Sequence, residues 1–279
     1  MSIQWYPGHM TKSIRMMKEN LSLVDVLIEL LDARIPHSSK NPHIEELAQN
    51  KRRIAVLNKA DLACEAANAA WKNHYEERGY RVVLTDSTRG KGLEEVAKAA
   101  RELMAEKIAR QKARGRIMVP IRAMIAGIPN VGKSTMINKY AKKAVAKVED
   151  RPGVTRGKQW IKISADFELL DTPGILWPKF EDPAIGRNLA AVGSINDNIL
   201  DIEGLAAEVA DLVRTDIGPR YNIELDADAT GPDILAKIAA ARGFKTKDAG
   251  IDIRRSAIIF LDEFRAGKLG RITLERPVE

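Results

Sequence analysis

The sequence has few of the features that are typical of secreted or membrane proteins, namely cysteine pairs and long apolar stretches. It has one cysteine, Cys64, among 279 residues, so it can form neither an internal disulfide nor a thiolate metal cage. Its longest stretch without Asp, Glu, Lys or Arg is Met1–Thr11, far shorter than the ~18–20 apolar residues of a membrane span. The first residues also lack the basic patch and apolar core of a signal peptide. We therefore expect a cytoplasmic protein that does not enter a membrane.

Acidic residues are far fewer than basic residues in the first part of the chain, and the net charge of the whole chain does not show this. Residues 1–179 contain 32 Lys and Arg and 20 Asp and Glu, a balance of +12; residues 180–232 have a balance of −8 and residues 233–279 one of +3, within a net charge of +7. A positive excess of this size predicts a phosphate-rich partner and salt-dependent binding. For any one basic run, a solvated helix surface followed by a linker is an equally good interpretation. One such run contains Arg101, Lys107, Arg110, Lys112, Arg114, Arg116 and Arg122.

Aromatic residues make up only 5% of the sequence, but hydrophobic residues make up 45%, which is enough for a sizeable core. The length favours about two domains. Short apolar runs alternate with helical patterns, which predicts an α/β domain with a mostly parallel sheet over residues 1–180. The predicted strands are Val24–Leu31, Arg53–Leu57, Arg81–Thr85, Ile121–Ala126, Gln159–Ile163 and Phe167–Leu170. The predicted helices are Met10–Asn20, Leu62–Arg78, Leu93–Arg114 and Lys133–Tyr140. Charges within the first strand leave a short helix open there.

The pattern changes beyond residue 180, where strand signals become rare. The predicted elements are helices at Pro183–Val192, Glu203–Arg214, Asp233–Arg242 and Arg254–Arg265, and a strand at Arg271–Leu274. We therefore predict a second, small and mainly α-helical domain over residues 181–279.

A phosphate-binding loop is the strongest motif in the chain. Gly127–Ser134 reads G-I-P-N-V-G-K-S, which matches G-x-x-x-x-G-K-[ST] between a predicted strand and a predicted helix. The glycines allow backbone N–H groups to face phosphate oxygens, and the helix N-terminus adds positive potential. Lys133 is the predicted catalytic contact to the β- and γ-phosphates, and Ser134 is a predicted Mg²⁺ ligand. The other predicted nucleotide contacts here are Asn130, Val131, Gly132 and Thr135.

A second motif selects the base. Asn58-Lys59-Ala60-Asp61 follows a predicted strand, and the Asp61 carboxylate can accept two hydrogen bonds from guanine, whereas adenine offers no such donor pair. We expect Asn58 and Lys59 to brace the loops and cover the base, and Ala60 is a further predicted nucleotide-binding residue. Asp86, Ser87 and Thr88 follow the next strand and are weaker candidates for backbone contacts to the base. This motif favours GTP and argues against the alternative of a kinase that uses ATP.

Two further segments have the residue types that sense a γ-phosphate. Asp171-Thr-Pro-Gly174 follows a predicted strand, so that Asp171 is a predicted Mg²⁺ ligand and the Gly174 N–H a predicted phosphate contact. Thr155, in a loop, is the candidate that closes over Mg²⁺, although an ordinary loop threonine would look the same.

The order of these motifs is unusual, because the base-reading segments precede the phosphate loop. All of them follow strands of one predicted sheet, so the site depends on their position in space and not on chain order. A circular permutation keeps the pocket and places Gly174 directly before the helical part. We expect the nucleotide state to be passed to that part.

The permuted order and several strings resemble the circularly permuted GTPases, and within them those that act in ribosome assembly. The strings are Trp5–Met10, Asp32–Arg34, Asn58–Asp61, Gly127–Ser134, Arg151–Thr155 and Leu170–Pro178. The resemblance covers most of residues 1–180. It implies a GTPase that acts late in large-subunit assembly, binds rRNA and ribosomal proteins of the particle in the GTP state, is stimulated there, and hydrolyses GTP to GDP on release. It also implies that the helical part contacts large-subunit rRNA, and we expect a monomer when the protein is free.

The motifs do not identify the residue that positions the attacking water for GTP hydrolysis. Many GTPases place a glutamine after D-x-x-G, but this chain has Ile175 there. His9 is the best substitute, and the resemblance assigns it a catalytic role, although it could instead hold its loop or touch RNA. Asn130 resembles the potassium-ligating asparagine of such GTPases, and a K⁺ ion there would offset transition-state charge. The alternative function is a nucleotide-gated RNA-binding scaffold with negligible hydrolysis.

Other residues have two interpretations of equal weight. Asp32 and Arg34 form either an ion-paired corner or part of a switch. The last domain has a candidate RNA face that a solvated helical surface would match equally well. That face contains Lys245, Lys247, Arg254, Arg255, Lys268 and Arg271.

Overall fold

The first part of the chain folds around a six-stranded sheet. The structure is a computed structural model and describes residues 8–48, 50–145, 160–178, 180–248 and 250–277. The strands are β1 (Val26–Asp32), β2 (Arg52–Asn58), β3 (Arg81–Thr85), β4 (Ile121–Gly127), β5 (Trp160–Ser164) and β6 (Phe167–Asp171). Their order is β3-β2-β1-β4-β6-β5, and only the edge strand β5 runs antiparallel to its neighbour. The predicted α/β class with a mostly parallel sheet is confirmed.

The strand register brings the functional loops to one edge of the sheet. Every residue of β1 is buried, as expected for a central parallel strand covered on both faces. Asp32 lies opposite Asn58, and Asn58 lies opposite Thr85. Asp171 ends β6 beside Ile125 of β4. The carboxyl ends of five strands therefore meet at one edge.

Helices cover the sheet. They are α1 (Gly8–Asn20), α2 (Pro42–Leu47), α3 (Glu65–Glu77), α4 (Leu93–Leu103), α5 (Ala105–Ala113) and α6 (Lys133–Val145). The single helix predicted over Leu93–Arg114 is wrong, because Met104 leaves helical geometry at φ −101° and ψ 4°. Its side chain is buried, and a new helix, α5, begins at the next residue. The short helix α2 is a further difference; Asn41 caps it and Pro42 begins it.

The part beyond residue 180 is helical, as predicted. It contains α7 (Pro183–Ala191), α8 (Ile202–Leu212), α9 (Arg214–Tyr221), α10 (Gly231–Ala241) and α11 (Ile253–Arg265). Asp182, Asp201 and Asp252 each accept a hydrogen bond from a backbone N–H in the first turn of α7, α8 and α11, and such caps define where helices begin. The buried apolar core is continuous from the sheet into these helices. None of the described helices is both long and apolar enough to cross a membrane.

The strand predicted at Arg271–Leu274 is wrong. This segment is extended but pairs with loops instead of a strand: the Ile272 N–H donates to the Leu62 carbonyl at 3.0 Å and the Leu274 N–H donates to the Arg34 carbonyl at 2.8 Å. The Glu275 carboxylate then accepts hydrogen bonds from the His37 N–H at 2.7 Å and from Asn188 Nδ2 at 2.9 Å. The last described residues thus return to the first part of the chain.

Candidate nucleotide-binding site

A cavity of about 340 Å³ opens at the carboxyl edge of the sheet, within the size range of small-molecule sites. The sequence-predicted residues that line it are Asn58, Lys59, Asp61, Asp86, Ser87, Asn130, Gly132 and Thr135. Thr88, which belongs to the same predicted segment as Asp86 and Ser87, also lines it, and the lining residues that sequence reasoning missed are Leu62, Arg89 and Arg265. The two motifs that are far apart in the chain therefore share one cavity.

Asn58 joins the base-reading loops to the phosphate loop. Its Nδ2 donates to the Val131 carbonyl at 2.8 Å. Its Oδ1 accepts hydrogen bonds from Thr85 Oγ1 at 2.9 Å, the Ser87 N–H at 3.1 Å and Ser87 Oγ at 2.8 Å. Asn58 is buried, so these bonds form away from competing water. One amide side chain thus joins three loops.

Lys59 binds the phosphate loop from the same side. Its Nζ donates to the Asn130 carbonyl at 2.9 Å and lies 2.9 Å from Asp32 Oδ2. Arg34 also holds Asp32, through Nε at 2.9 Å and Nη2 at 2.8 Å. The buried Asp32 carboxylate keeps its charge because these two cations lower its pKa well below the ordinary value, against the effect of burial. Asp32 and Arg34 therefore form an ion-paired corner, and that corner holds the lysine of the base-reading motif.

Asp61 faces the cavity and remains partly accessible. Its carboxylate lies 4.0 Å from the guanidinium of the exposed Arg89. The preceding Ala60 is fixed through its backbone, because its N–H donates to the Thr85 carbonyl at 3.1 Å and its carbonyl accepts from Asn68 Nδ2 at 2.9 Å. A carboxylate presented on a rigid backbone can accept hydrogen bonds from a flat donor edge such as that of guanine.

The phosphate loop has the geometry that its sequence predicts. Gly132 has φ +105°, which favours glycine. Val131 is buried below the loop, whereas Ser134 and Thr135 are exposed in the first turn of α6. The hydroxyls of these two residues therefore lie at a helix N-terminus, where anions and their counter-cations bind.

Lys133 is buried and its ammonium group contacts the loop itself. Nζ donates to the Gly127 carbonyl at 3.0 Å and to the Ile128 carbonyl at 2.7 Å. Burial lowers the pKa of Lys133 to about 8, and the nearby Asp171 carboxylate opposes that shift. Loss of solvation beside the loop also raises the pKa of Asp171, with Lys133 opposing. Each of these two charges therefore opposes the effect of burial on the pKa of the other.

The D-x-x-G segment lies directly on the phosphate loop. A β-carbon built on Gly174 would lie 2.7 Å from Pro129 Cα and 3.0 Å from Lys133 Nζ, so only glycine fits there. The Ile175 N–H donates to the Gly127 carbonyl at 3.2 Å. Its side chain is fully buried, so it cannot reach a water molecule at the γ-phosphate position.

The helical part contacts the phosphate loop through the turn after α7. Asn130 Nδ2 donates to the Gly193 carbonyl at 2.7 Å, and Ser194 Oγ donates to the Pro129 carbonyl at 3.0 Å. The bond from Nδ2 leaves Asn130 Oδ1 as the atom of that side chain able to coordinate a cation. No sequence signal pointed to Gly193 or Ser194, because the contact depends on how distant segments pack.

A second cavity, of about 610 Å³, lies between the same turn and the phosphate loop. Arg265 of α11 lines both cavities. It holds Asp197 in two hydrogen bonds of 2.7 and 2.8 Å and donates to the Ala190 and Ala191 carbonyls at 3.0 and 3.1 Å. Arg265 therefore ties α11 to the end of α7 beside the site.

Two predicted site residues lie outside the described part. Thr155 falls among the residues that the structure does not describe. The backbone of His9 belongs to α1, but its side chain is outside the description. Both roles remain predictions.

Comparison with known proteins decides the family. A family profile described as "50S ribosome-binding GTPase" matches residues 122–217. The chain is 44% identical to Ribosome biogenesis GTPase A of Bacillus cereus, over 100% of this chain and 95% of that protein. The chain belongs to the ribosome biogenesis GTPase A family.

More distant members of the ribosome biogenesis GTPase A family also match over nearly the whole chain. The Thermotoga maritima protein of that name is 30% identical over 99% of this chain and 95% of its own length. A GNP-bound YlqF structure from T. maritima matches with a TM-score of 0.70 at 26% identity, over 96% of this chain and 99% of that chain. The family profile starts just before the phosphate loop and omits Asn58–Asp61, as expected for a permuted chain. As a member of this family, the chain binds guanine nucleotides and hydrolyses GTP.

Proposed function

We propose that this GTPase of ribosome assembly acts late on the immature large subunit, binds it in the GTP state and leaves it after hydrolysis. The observation that carries the guanine-nucleotide part of this proposal is the Asn58 amide, which joins the base-reading loops to the phosphate loop at one cavity. The name of the Bacillus cereus relative, Ribosome biogenesis GTPase A, supports the assembly role.

Each predicted site residue has a role that its position supports. Asp61 reads guanine, while Asn58, Lys59 and the backbone of Ala60 hold that carboxylate in place. The buried Lys133 exchanges its two carbonyl partners for the β- and γ-phosphates. Gly174 contacts the γ-phosphate through its N–H. Asp86, Ser87 and Thr135 complete the cavity wall.

Oxygen donors near the phosphate loop suit a magnesium ion. Ser134 and Asp171 are both exposed, and a hydroxyl and a carboxylate are the hard ligands that Mg²⁺ prefers. We assign Thr155 to the same ion. Bound Mg²⁺ neutralises charge on the phosphates. Asn130 Oδ1 is the proposed K⁺ ligand, held in place by the bond from Nδ2 to Gly193.

The hydrolytic step needs a group other than Ile175, which is buried. We assign this role to His9, which orients the attacking water when the ribosomal particle brings α1 into position. His9→Ala is expected to lower kcat with nucleotide affinity retained, and replacement of K⁺ by Na⁺ is expected to slow turnover. An unchanged kcat in either experiment removes that group from the mechanism.

The helical part is the proposed rRNA-binding domain, over residues 181–279. Within its candidate RNA face, Arg271 instead binds the Ala60 and Ala63 carbonyls, and Arg254 lies 3.9 Å from Glu203. Arg255 lies over the Phe244 ring at 4.6 Å. Exposed cations remain on that face at Lys245, Lys247, Arg255 and Lys268. They are available for phosphate contacts.

Sedimentation tests the proposal. The chain is mixed with large and small ribosomal subunits in GDP or in a GTP analogue, at two salt concentrations. We expect co-sedimentation with the large subunit in the analogue state, weakened by salt and by GDP. Binding to neither subunit, or equal binding in both nucleotides, contradicts the proposal.

A nucleotide-gated scaffold with negligible hydrolysis is the second candidate, and the buried Ile175 is the observation that favours it. GTP turnover measured with and without large subunits separates the two. Stimulated turnover supports the enzyme, whereas turnover that stays near zero in both supports the scaffold.

A further inference from the structure

The basic run from Arg101 to Arg122 divides into two groups in the structure. Arg101 binds Asp166 at 2.7 Å, Lys107 binds Asp25, and Arg122 lies 3.3 Å from Glu168. The side chains of the other four cations have no ion-pair or hydrogen-bond partner among the described residues, and all four are exposed. We call these four the basic segment: Arg110, Lys112, Arg114 and Arg116.

The basic segment lies at the end of the sheet opposite the nucleotide site. Helix α5, which contains its first members, lies beside the amino ends of β1 and β2. Lys107 of α5 binds Asp25, which precedes β1, and Glu106 lies 3.6 Å from Arg52 at the start of β2. The segment then leads into β4 at Ile121. A seven-residue strand such as β1 spans roughly 23 Å, so a partner bound here leaves the nucleotide cavity open.

The carboxylates nearest this end of the sheet are already paired. Asp25, Glu106, Asp166 and Glu168 each lie within ion-pair distance of a cation outside the basic segment. The basic segment therefore carries positive charge that these carboxylates do not neutralise. Attraction to the dipole of α5 explains cations in the last turn of that helix, such as Arg110 and Lys112. It does not explain Arg116, which follows the end of the helix at Ala113.

Two apolar side chains are exposed directly after these cations. Ile117 is 96% exposed and Met118 is 55% exposed. A linker that only joins α5 to β4 has no need of apolar groups in water. Cations followed by exposed apolar side chains suit a nucleic acid, because its backbone binds cations while apolar groups pack on sugars and bases.

We propose that the basic segment binds the phosphate backbone of RNA in the ribosomal particle, with Ile117 and Met118 packed against its sugars or bases. This inference rests on the proposed function and adds a second RNA contact to it. The helical part contacts the phosphate loop at the carboxyl edge, whereas the basic segment lies at the amino edge. The protein therefore holds RNA from both ends of its sheet.

Salt titrations with matched variants test the inference. The test variants are Arg114→Gln with Arg116→Gln, and all four substitutions together. The control is Arg81→Gln with Lys98→Gln, which removes the same two charges from exposed side chains that pair with Glu102. The affinity for large-subunit rRNA and for intact large subunits is measured with a GTP analogue between about 50 and 200 mM salt.

We expect the slope of log affinity against log salt to fall by about 0.7–0.9 for each lost phosphate contact. The control keeps the wild-type slope, and GDP affinity and thermal midpoint stay unchanged in every variant. Ile117→Ser with Met118→Ser weakens rRNA binding without a change of slope.

A test variant with the wild-type slope overturns the inference. So does a test variant that loses binding to intact subunits but keeps its affinity for naked rRNA, because the partner would then be a protein. A wild-type chain that binds neither probe overturns the proposed function together with the inference.

Discussion

Asn58 and Gly132 fit together so closely that a β-carbon on Gly132 would lie 2.3 Å from Asn58 Nδ2. The same Nδ2 binds the Val131 carbonyl at 2.8 Å. The position of Asn58 in the base-reading motif therefore requires a glycine at position 132 of the phosphate loop. The two motifs are far apart in the chain, since Asn58 and Val131 are 73 positions apart. The proposed base-reading loop and the phosphate loop are therefore joined by direct contact.

Asn58→Ala is expected to weaken GDP and GTP binding together. The change leaves the Val131 carbonyl and the Ser87 N–H without their partner, and each buried polar group left unpaired costs about 1–3 kcal/mol. Titration with GDP and with a GTP analogue measures the loss, which should reach about tenfold or more for both. Loss of affinity for only one nucleotide would contradict a shared brace.

Asp61→Asn is expected to exchange the base preference. Asp61 is proposed to accept two hydrogen bonds from guanine, whereas an asparagine amide presents a donor and suits a base with a carbonyl at that position, such as xanthine. GTP affinity should fall by about tenfold to hundredfold, and xanthosine triphosphate should become the better ligand. Competition binding checks this, with Asp228→Asn, an exposed residue of the helical part, as the control. An unchanged preference would remove Asp61 from base recognition.

The strands and their functional loops could be predicted because both signals are local. An apolar run followed by N-K-x-D or G-x-x-x-x-G-K-S predicts a strand with a functional loop at its end, and this prediction needs no information about the other segments of the chain. The contacts of Ser194, Arg265 and Glu275 could not be predicted, because each joins segments far apart in the chain. The break at Met104 was also missed, since the helical pattern continues through it and tertiary packing decides the turn.

Ser194→Ala tests whether the turn after α7 transmits the nucleotide state. Its hydroxyl binds the Pro129 carbonyl in the phosphate loop, so its removal should reduce the difference in hydrogen exchange over residues 180–277 between GDP and a GTP analogue. Ser256→Ala is the matched control, because Ser256 Oγ donates to a carbonyl within the helical part, that of Leu235 at 2.8 Å. An equal effect of both variants would indicate general destabilisation instead of coupling. No difference between nucleotides in the wild type would refute the coupling itself.

Glu29 gives the fold a dependence on pH. It lies in the middle of β1, beside Ala55 and Ala126. Among the described residues its carboxylate oxygens make no hydrogen bond of normal geometry, although the Asn41 backbone lies close enough to lower its pKa slightly. Burial raises its pKa from 4.5 to about 7, with Lys40 opposing and Glu45 adding to the shift. The folded state therefore holds this proton more tightly than the unfolded state does.

The sign of the effect follows from that difference. Below about pH 4.5 both states are protonated and Glu29 adds no pH-dependent cost, whereas between about pH 4.5 and 7 the stability falls as pH rises. Above about pH 7 the cost is complete, on the order of 3 kcal/mol. Glu29→Gln should therefore stabilise the protein at about pH 8 by about 1–3 kcal/mol, and by much less at about pH 5. Denaturant unfolding at both pH values measures this, with Glu46→Gln on the exposed surface of α2 as the control. A gain that is equal at both pH values would mean that Gln improves packing and that Glu29 does not titrate with folding.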